Sequence, residues 1–381
     1  MKVILSVDAI SPPLTGIGRY VWELSQRLPQ QDGIDRVRYF SHGQWYHDLH
    51  ARLAQAPAGR SGLRQQLARS RLLVAGWRQL MQHVNGRALA NLADHIYHGP
   101  GVHLLPFPGK SVATIHDLSV YRCPQYHTRE CLDDMRREIP KTLVRADFLI
   151  AVSEFTRREV IDHFGWPEDK IRAIPLGVKP QYRPRTPQET QPALAQLGLA
   201  HGRYALCIAT IEPRKNIDGL LSAYERLPDD LKREYPLVLA GGSGWNNEAT
   251  LARIARAQAQ GWLSYLGYVP ETELPLLLAG ARSFIFPSFY EGFGLPVLEA
   301  MASGVPVVTS NRASLPEVVQ GAALLTNPDD IPALTEVIRR SLEDNAWREA
   351  AIPASRQVAA GYSWDTTARQ TADVYRLLAG A

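Results

Sequence analysis

The sequence predicts an α/β protein made of two doubly wound, Rossmann-like domains facing a central cleft. Three observations predict it. The chain has 381 residues, too many for one ordinary core and comfortable for two. Short runs rich in Val and Ile recur along it, each followed by a helical pattern, which is the signature of parallel strands covered on both faces. The series also breaks once, at a proline-rich and polar stretch, and then starts again.

In the first half the runs are KVILSV (2–7), RVRYFS (36–41), ADHIYHG (93–99), SVATIHD (111–117), DFLIAVS (147–153) and KIRAIPLGV (170–178). In the second half they are YALCIAT (204–210), YPLVLAGG (235–242), WLSYLGYV (262–269), ARSFIFPS (281–288) and VPVVTS (305–310). The expected boundaries are therefore an N-terminal domain over 1–180, a linker over 181–200 and a C-terminal domain over 201–362. A final amphipathic helix over 363–381 packs back on the N-terminal domain, with Ser363 as its cap and Gly380 as its stop.

Composition narrows the function classes. Hydrophobic residues make up 45% and charged residues 21%, as in soluble globular proteins. The three cysteines form no C-x-x-C pair and no zinc spacing, which suits a reducing, cytoplasmic setting. The N-terminal apolar run meets Asp8 too soon for a signal peptide, and no stretch reaches the ~18 apolar residues that spanning needs. The net charge of +4 is uneven: residues 51–90 hold seven arginines and no acid, leaving −3 elsewhere. Within that block, 62–84 sets Arg64, Arg71, Trp77 and Arg78 among leucines. It reads as a basic amphipathic helix on the acceptor side that docks on an anionic membrane, or else as a solvated helical face. No nucleic-acid motif accompanies it.

The most specific segment runs from Ser288 to Gly304. A strand ends at Pro287, a glycine-rich turn follows, Pro296 opens a helix at its first position, and Gly304 stops it. The backbone N–H groups of Phe293, Gly294 and Leu295 then form an anion site at a helix N-terminus. Glu291 sits in the loop and Glu299 one turn into the helix, so that one carboxylate can grip a sugar hydroxyl and the other a ribose diol. Arg214 and Lys215 follow the first strand of the second half, where α/β ligands bind, and suit a diphosphate. Gly16 and Gly18 follow the first strand of all and permit close backbone approach, although Val21 takes the third glycine position of the dinucleotide fingerprint. His116 ends another strand. Gly109-Lys110-Ser111 resembles the end of a P-loop, but Leu104 replaces its first glycine. Ser314 and Glu317 read as a capping box, and Ser153 as an N-cap.

The 291–299 string resembles the E-x7-E signature of the retaining glycosyltransferases of family 4, which have the GT-B fold. The likeness covers nearly the whole chain: Thr15–Tyr20, His116-Asp117, Val152–Thr156, Ile174–Val178, Glu212–Asn216 and Ser314–Val318 each resemble a family segment, in order. Leu176 departs from the pattern, standing where relatives carry asparagine.

The resemblance implies a hexosyltransferase working by front-face substitution, in which the departing phosphate oxygen takes the acceptor proton. His116, Arg214, Lys215 and Glu291 are then catalytic, while Gly16, Gly18, Phe293, Gly294, Leu295 and Glu299 join the two cations in holding the donor. No D-x-D triplet occurs, and neither a metal nor any other cofactor is expected. The Pro-Arg-Lys-Asn turn resembles O-antigen mannosyl- and rhamnosyltransferases, implying a GDP-linked donor, a lipid-linked saccharide acceptor and a place on the inner face of the cytoplasmic membrane. A UDP-sugar donor, a GT-B epimerase, a non-catalytic nucleotide-sugar module and an interaction protein built on the basic helix are the alternatives.

Overall fold

Apolar runs on both faces of the strands assemble two parallel sheets. The computed structural model describes residues 1–54 and 84–380. The first sheet contains β1 (Lys2–Ser6), β2 (Arg36–Ser41), β3 (Gln44–Tyr46), β4 (His95–Gly99), β5 (Lys110–Ile115), β6 (Phe148–Ala151) and β7 (Ile171–Ala173). Its order is β3-β2-β1-β4-β5-β6-β7, parallel throughout except for the antiparallel edge strand β3. The second sheet contains β8 (Ala205–Ile208), β9 (Leu237–Ala240), β10 (Leu263–Tyr265), β11 (Ser283–Phe286), β12 (Val307–Ser310) and β13 (Leu324–Thr326). Its order, β10-β9-β8-β11-β12-β13, is the doubly wound arrangement with the switch of direction between β8 and β11. Residues of β4, β6, β9, β11 and β12 are buried along their whole length, as strands with helices on both faces require.

Four helices position the residues of interest: α1 (Gly16–Arg27), α2 (Ile217–Glu225), α3 (Leu295–Ala302) and α4 (Trp364–Ala379). The chain divides into two compact units. Unit 1 comprises residues 1–118, 130–176 and 364–381, and unit 2 comprises 119–129 and 177–363. The last helix thus belongs to unit 1. There Thr367 Oγ1 donates to the Pro175 carbonyl at 2.7 Å and Arg27 pairs with Asp365 at 2.8 Å.

The structure differs from the sequence expectation at several points. Residues 119–129 leave the first half to join unit 2, because Tyr126 stacks on Phe289 with centroids 5.1 Å apart and its carbonyl accepts from Trp245 Nε1 at 2.8 Å. The stretch expected as a linker holds a helix, Pro187–Gln196, started by a reciprocal capping box between Thr186 and Glu189. α3 begins at Leu295, so Pro296 takes the second helical position rather than the first. The strands β3 and β13 were not expected; each spans only three residues. The membrane-side residues Arg64, Arg71, Trp77 and Arg78 lie outside the described residues.

Candidate active site

The switch point of unit 2 gathers the charged residues. After β8 the chain turns through Glu212–Lys215, and Asn216 then starts α2 from a left-handed conformation (φ 55°). Its side-chain carbonyl accepts from Gly219 N at 3.2 Å and caps the helix. Its amide nitrogen donates to the carbonyls of Pro287 (3.2 Å) and Pro328 (2.9 Å). Asn216 therefore ties the turn after β8 to the end of β11, and the two loops that carry the charges are held in register.

On that frame Arg214, Lys215 and Glu291 meet. Lys215 Nζ lies 2.6 Å from Glu291 Oε1, and Arg214 Nη1 lies 3.1 Å from Glu291 Oε2. Arg214 also donates to the Tyr290 carbonyl at 2.8 Å and, through Nη2, to Glu212 Oε1 at 2.7 Å. Lys215 Nζ stands 5.2 Å from the centre of the Phe286 ring. The Ser288 hydroxyl donates to Glu291 Oε1 at 2.6 Å. Burial pushes the Glu291 carboxyl up, yet the charges of Lys215 and Arg214, with hydrogen bonds from Lys215 and Ser288, outweigh it and bring it down to about 2. Glu291 is therefore an anion at neutral pH, bridging two cations.

The loop beyond it leads into α3. Gly294 adopts φ 107°, and a Cβ there would lie 2.7 Å from Leu315 Cδ2, so both conformation and space call for glycine. No side chain caps α3; Pro296 brings no N–H, Val297 and Leu298 N–H both return to the Gly294 carbonyl at 3.0 and 3.3 Å, and the Leu295 N–H has no partner within the helix. Glu299 is buried one turn in. Ser314 does not cap its own helix. Its hydroxyl stands 2.9 Å from the carbonyls of both Glu291 and Phe293, so the expected capping box is replaced by a brace on the Glu291–Phe293 loop. Sequence reasoning assigned no role to Glu212, Ser288 or Asn216. The spacings E-x-R at 212–214 and S-x-x-E at 288–291 were the available signals.

Unit 1 holds the remaining expected residues. His116 follows β5, and its Nε2–H donates to the Pro100 carbonyl at 3.0 Å. Burial lowers its pKa, against the hydrogen bond to Pro100 and the Asp117 charge, so the ring is neutral at pH 7 with Nδ1 as acceptor. The Tyr20 ring packs edge-on against it at 5.1 Å. Behind it lies a buried chain of neutral groups. Tyr375 of α4 meets His98 Nδ1 at 2.6 Å, His98 Nε2 meets Thr114 Oγ1 at 2.8 Å, and Thr114 meets Tyr20 at 2.9 Å. Thr15 caps α1 through a bond from Gly18 N. A Cβ at Gly18 would meet the Ala9 carbonyl at 2.7 Å, so this glycine serves close packing of its own chain, whereas Gly16 faces open space. Ser153 caps its helix as expected, accepting from Thr156 N at 3.0 Å. Leu176, at the departure from the family pattern, is buried apolar surface. Among the described residues no group of three or more His, Cys, Asp or Glu side chains is placed to hold a metal ion.

Residues 14–182 match the family model described as Glycosyltransferase Family 4, and residues 195–358 match Glycosyl transferases group 1. The O-antigen chain mannosyltransferase B of Escherichia coli is 42% identical over 99% of this chain and 100% of its own length. The serotype-specific mannosyltransferase WbdA of the same species is 32% identical over 71% of this chain and 34% of its own. Among solved structures, WaaG, a glycosyltransferase involved in lipopolysaccharide biosynthesis, superposes with a TM-score of 0.70 at 17% identity, covering 98% of this chain and 99% of its own. HepE of Anabaena in complex with UDP and glucose gives 0.71 at 18% identity, covering 99% of each chain.

Proposed function

The chain belongs to the family 4 glycosyltransferases, a hexosyltransferase of GT-B fold, and on that premise we propose that it moves mannose from GDP-mannose onto a lipid-linked polysaccharide with retention of configuration and without a metal ion. The observation that carries this reading is the buried Arg214–Lys215–Glu291 cluster at the unit 2 switch point. Two cations and the start of α3 supply the positive charge that a diphosphate leaving group needs, and that a divalent ion supplies in other transferases. As the bond to the anomeric carbon breaks, negative charge grows on the phosphate oxygen. Arg214 and Lys215 stabilise it, and that oxygen takes the acceptor proton on the same face. Glu291, an anion beside the two cations, binds the sugar. His116 accepts a sugar hydroxyl at Nδ1, and Glu299 holds the ribose.

Mannose is favoured by the names of the E. coli relatives, and a polysaccharide acceptor by the same names. Lipid linkage and docking to an anionic membrane at the cytoplasmic face rest on the basic composition of 62–84. Among the described residues no helix is long and apolar enough to cross a membrane.

The test is a thermal-shift panel of GDP, UDP, ADP, CMP and TDP in chelator. A ligand at a hundred times its Kd stabilises the folded form by about 2.7 kcal/mol. A selective GDP shift is expected. A selective UDP shift would overturn the donor, and no shift from any nucleotide would overturn the reading.

A further inference from the structure

We infer that Glu291 and the donor diphosphate are competing occupants of the Lys215–Arg214 clamp, so that diphosphate binding passes the Glu291 carboxylate from the cations to the donor sugar. The inference rests on the phosphate-clamp reading of Arg214 and Lys215 and adds an order of events to it.

The geometry points there in three steps. First, the cluster is electrically neutral: Glu212 and Glu291 balance Arg214 and Lys215 within hydrogen-bonding distance. A neutral clamp offers a diphosphate little attraction unless one carboxylate yields. Glu291 spans the two cations with one oxygen on each, as two oxygens of a phosphoryl group would.

Second, the two carboxylates differ in which can yield. The Glu212 side chain is 3% exposed and holds Arg214 Nη2, the arm that Glu291 does not touch. The Glu291 side chain is 11% exposed, close to the 14% of both cations, and so lies on the accessible side. Glu212 therefore keeps the guanidinium in place while Glu291 exchanges. Arg214 also retains its bond to the Tyr290 carbonyl, and Lys215 its place over Phe286.

Third, the exchange needs only a side-chain rotation. The Glu291–Phe293 loop is held by Ser314, whose backbone N–H donates to the Glu291 carbonyl at 3.4 Å and whose one hydroxyl proton lies between the carbonyls of Glu291 and Phe293, each 2.9 Å away. The Ser288 hydroxyl has one proton and three acceptors in reach, and the 2.6 Å contact assigns that proton to Glu291. Ser288 thus holds the carboxylate on the clamp without contributing charge.

The consequence is an opposition of sign between binding and turnover. In calorimetric titrations with GDP and UDP, Glu291→Gln should bind the preferred nucleotide about tenfold more tightly than the parent, while transfer falls by about a hundredfold. Ser288→Ala, which leaves all charges in place, should tighten binding by about threefold and carries the test if Glu291→Gln fails to fold. Lys215→Ala should weaken binding. If Glu291→Gln and Ser288→Ala bind no tighter than the parent while Lys215→Ala binds more weakly, competition is overturned and the clamp stands. If Lys215→Ala binds like the parent, the clamp reading falls and the inference with it.

Discussion

The carboxyl ends of the two sheets solve different problems although both sheets are doubly wound about their first strand. In unit 2 the switch point between β8 and β11 buries four formal charges, paired two and two, on loops tied together by Asn216. In unit 1 the ends of β4 and β5 bury a chain of neutral groups, Tyr375–His98–Thr114–Tyr20, with a neutral His116 against it. Burying charge costs several kcal/mol per ion unless each is paired, so a cell keeps such a cluster where charge must be handled. Neutral donors and acceptors cost less to bury and suit hydroxyl recognition. The contrast supports the proposal that the leaving diphosphate belongs to unit 2 and that His116 shapes the sugar.

The largest break in that comparison is expected in turnover. Lys215→Ala should lower the transfer rate by about 10²–10³-fold, the usual loss for one preorganised electrostatic contact, while His116→Asn should lower it by only about tenfold. Steady-state kinetics on the two variants measure the difference; equal losses would erase the distinction between the units.

The next effect is in acid. His98 is held at about 3, below its ordinary 6.5, by burial and then by the charge that His116 takes on once it is protonated in acid. The unfolded chain therefore binds more protons than the folded one as pH falls below 6.5, and unit 1 loses stability from there downward. Glu291 is depressed from 4.5 to about 2, so its contribution is fully present above 4.5 and fades only as pH drops toward 2. Hydrogen exchange read by unit should show β4 and β5 losing protection at a higher pH than β8 and β11. The reverse order would contradict the assignment of charge states.

A smaller effect sharpens the role of α4. Tyr375→Phe leaves His98 Nδ1 without its partner in a dry site and should cost about 1–3 kcal/mol in chemical denaturation, with GDP affinity unchanged. A loss of affinity would instead couple that buried chain to the nucleotide site.

Much of this was legible in the residues. Eleven apolar runs became strands because parallel strands buried on both faces are continuous in hydrophobicity, and Arg214, Lys215 and Glu291 stood out because turn, helix start and charge coincide. β3 and β13 escaped because three residues give no period to read. The transfer of 119–129 to unit 2 escaped because Tyr126 stacking on Phe289 is a contact across 163 positions. Ser314 misled for a different reason: S-x-x-E satisfies a local rule, yet the hydroxyl was taken by two loop carbonyls distant in sequence. Local chemistry reads well from sequence; who receives a hydrogen bond from afar does not.

The central claim is that the paired cations of unit 2 release a nucleoside diphosphate while the sugar keeps its configuration. It is tested most directly by incubating the protein with GDP-α-mannose and a lipid-linked mannoside acceptor in excess chelator, and reading the new linkage by NMR. An α-linked product, formed about 10²–10³-fold more slowly by Lys215→Ala, is the expected result. A β-linked product, or transfer that appears only when a divalent metal is restored, would contradict it.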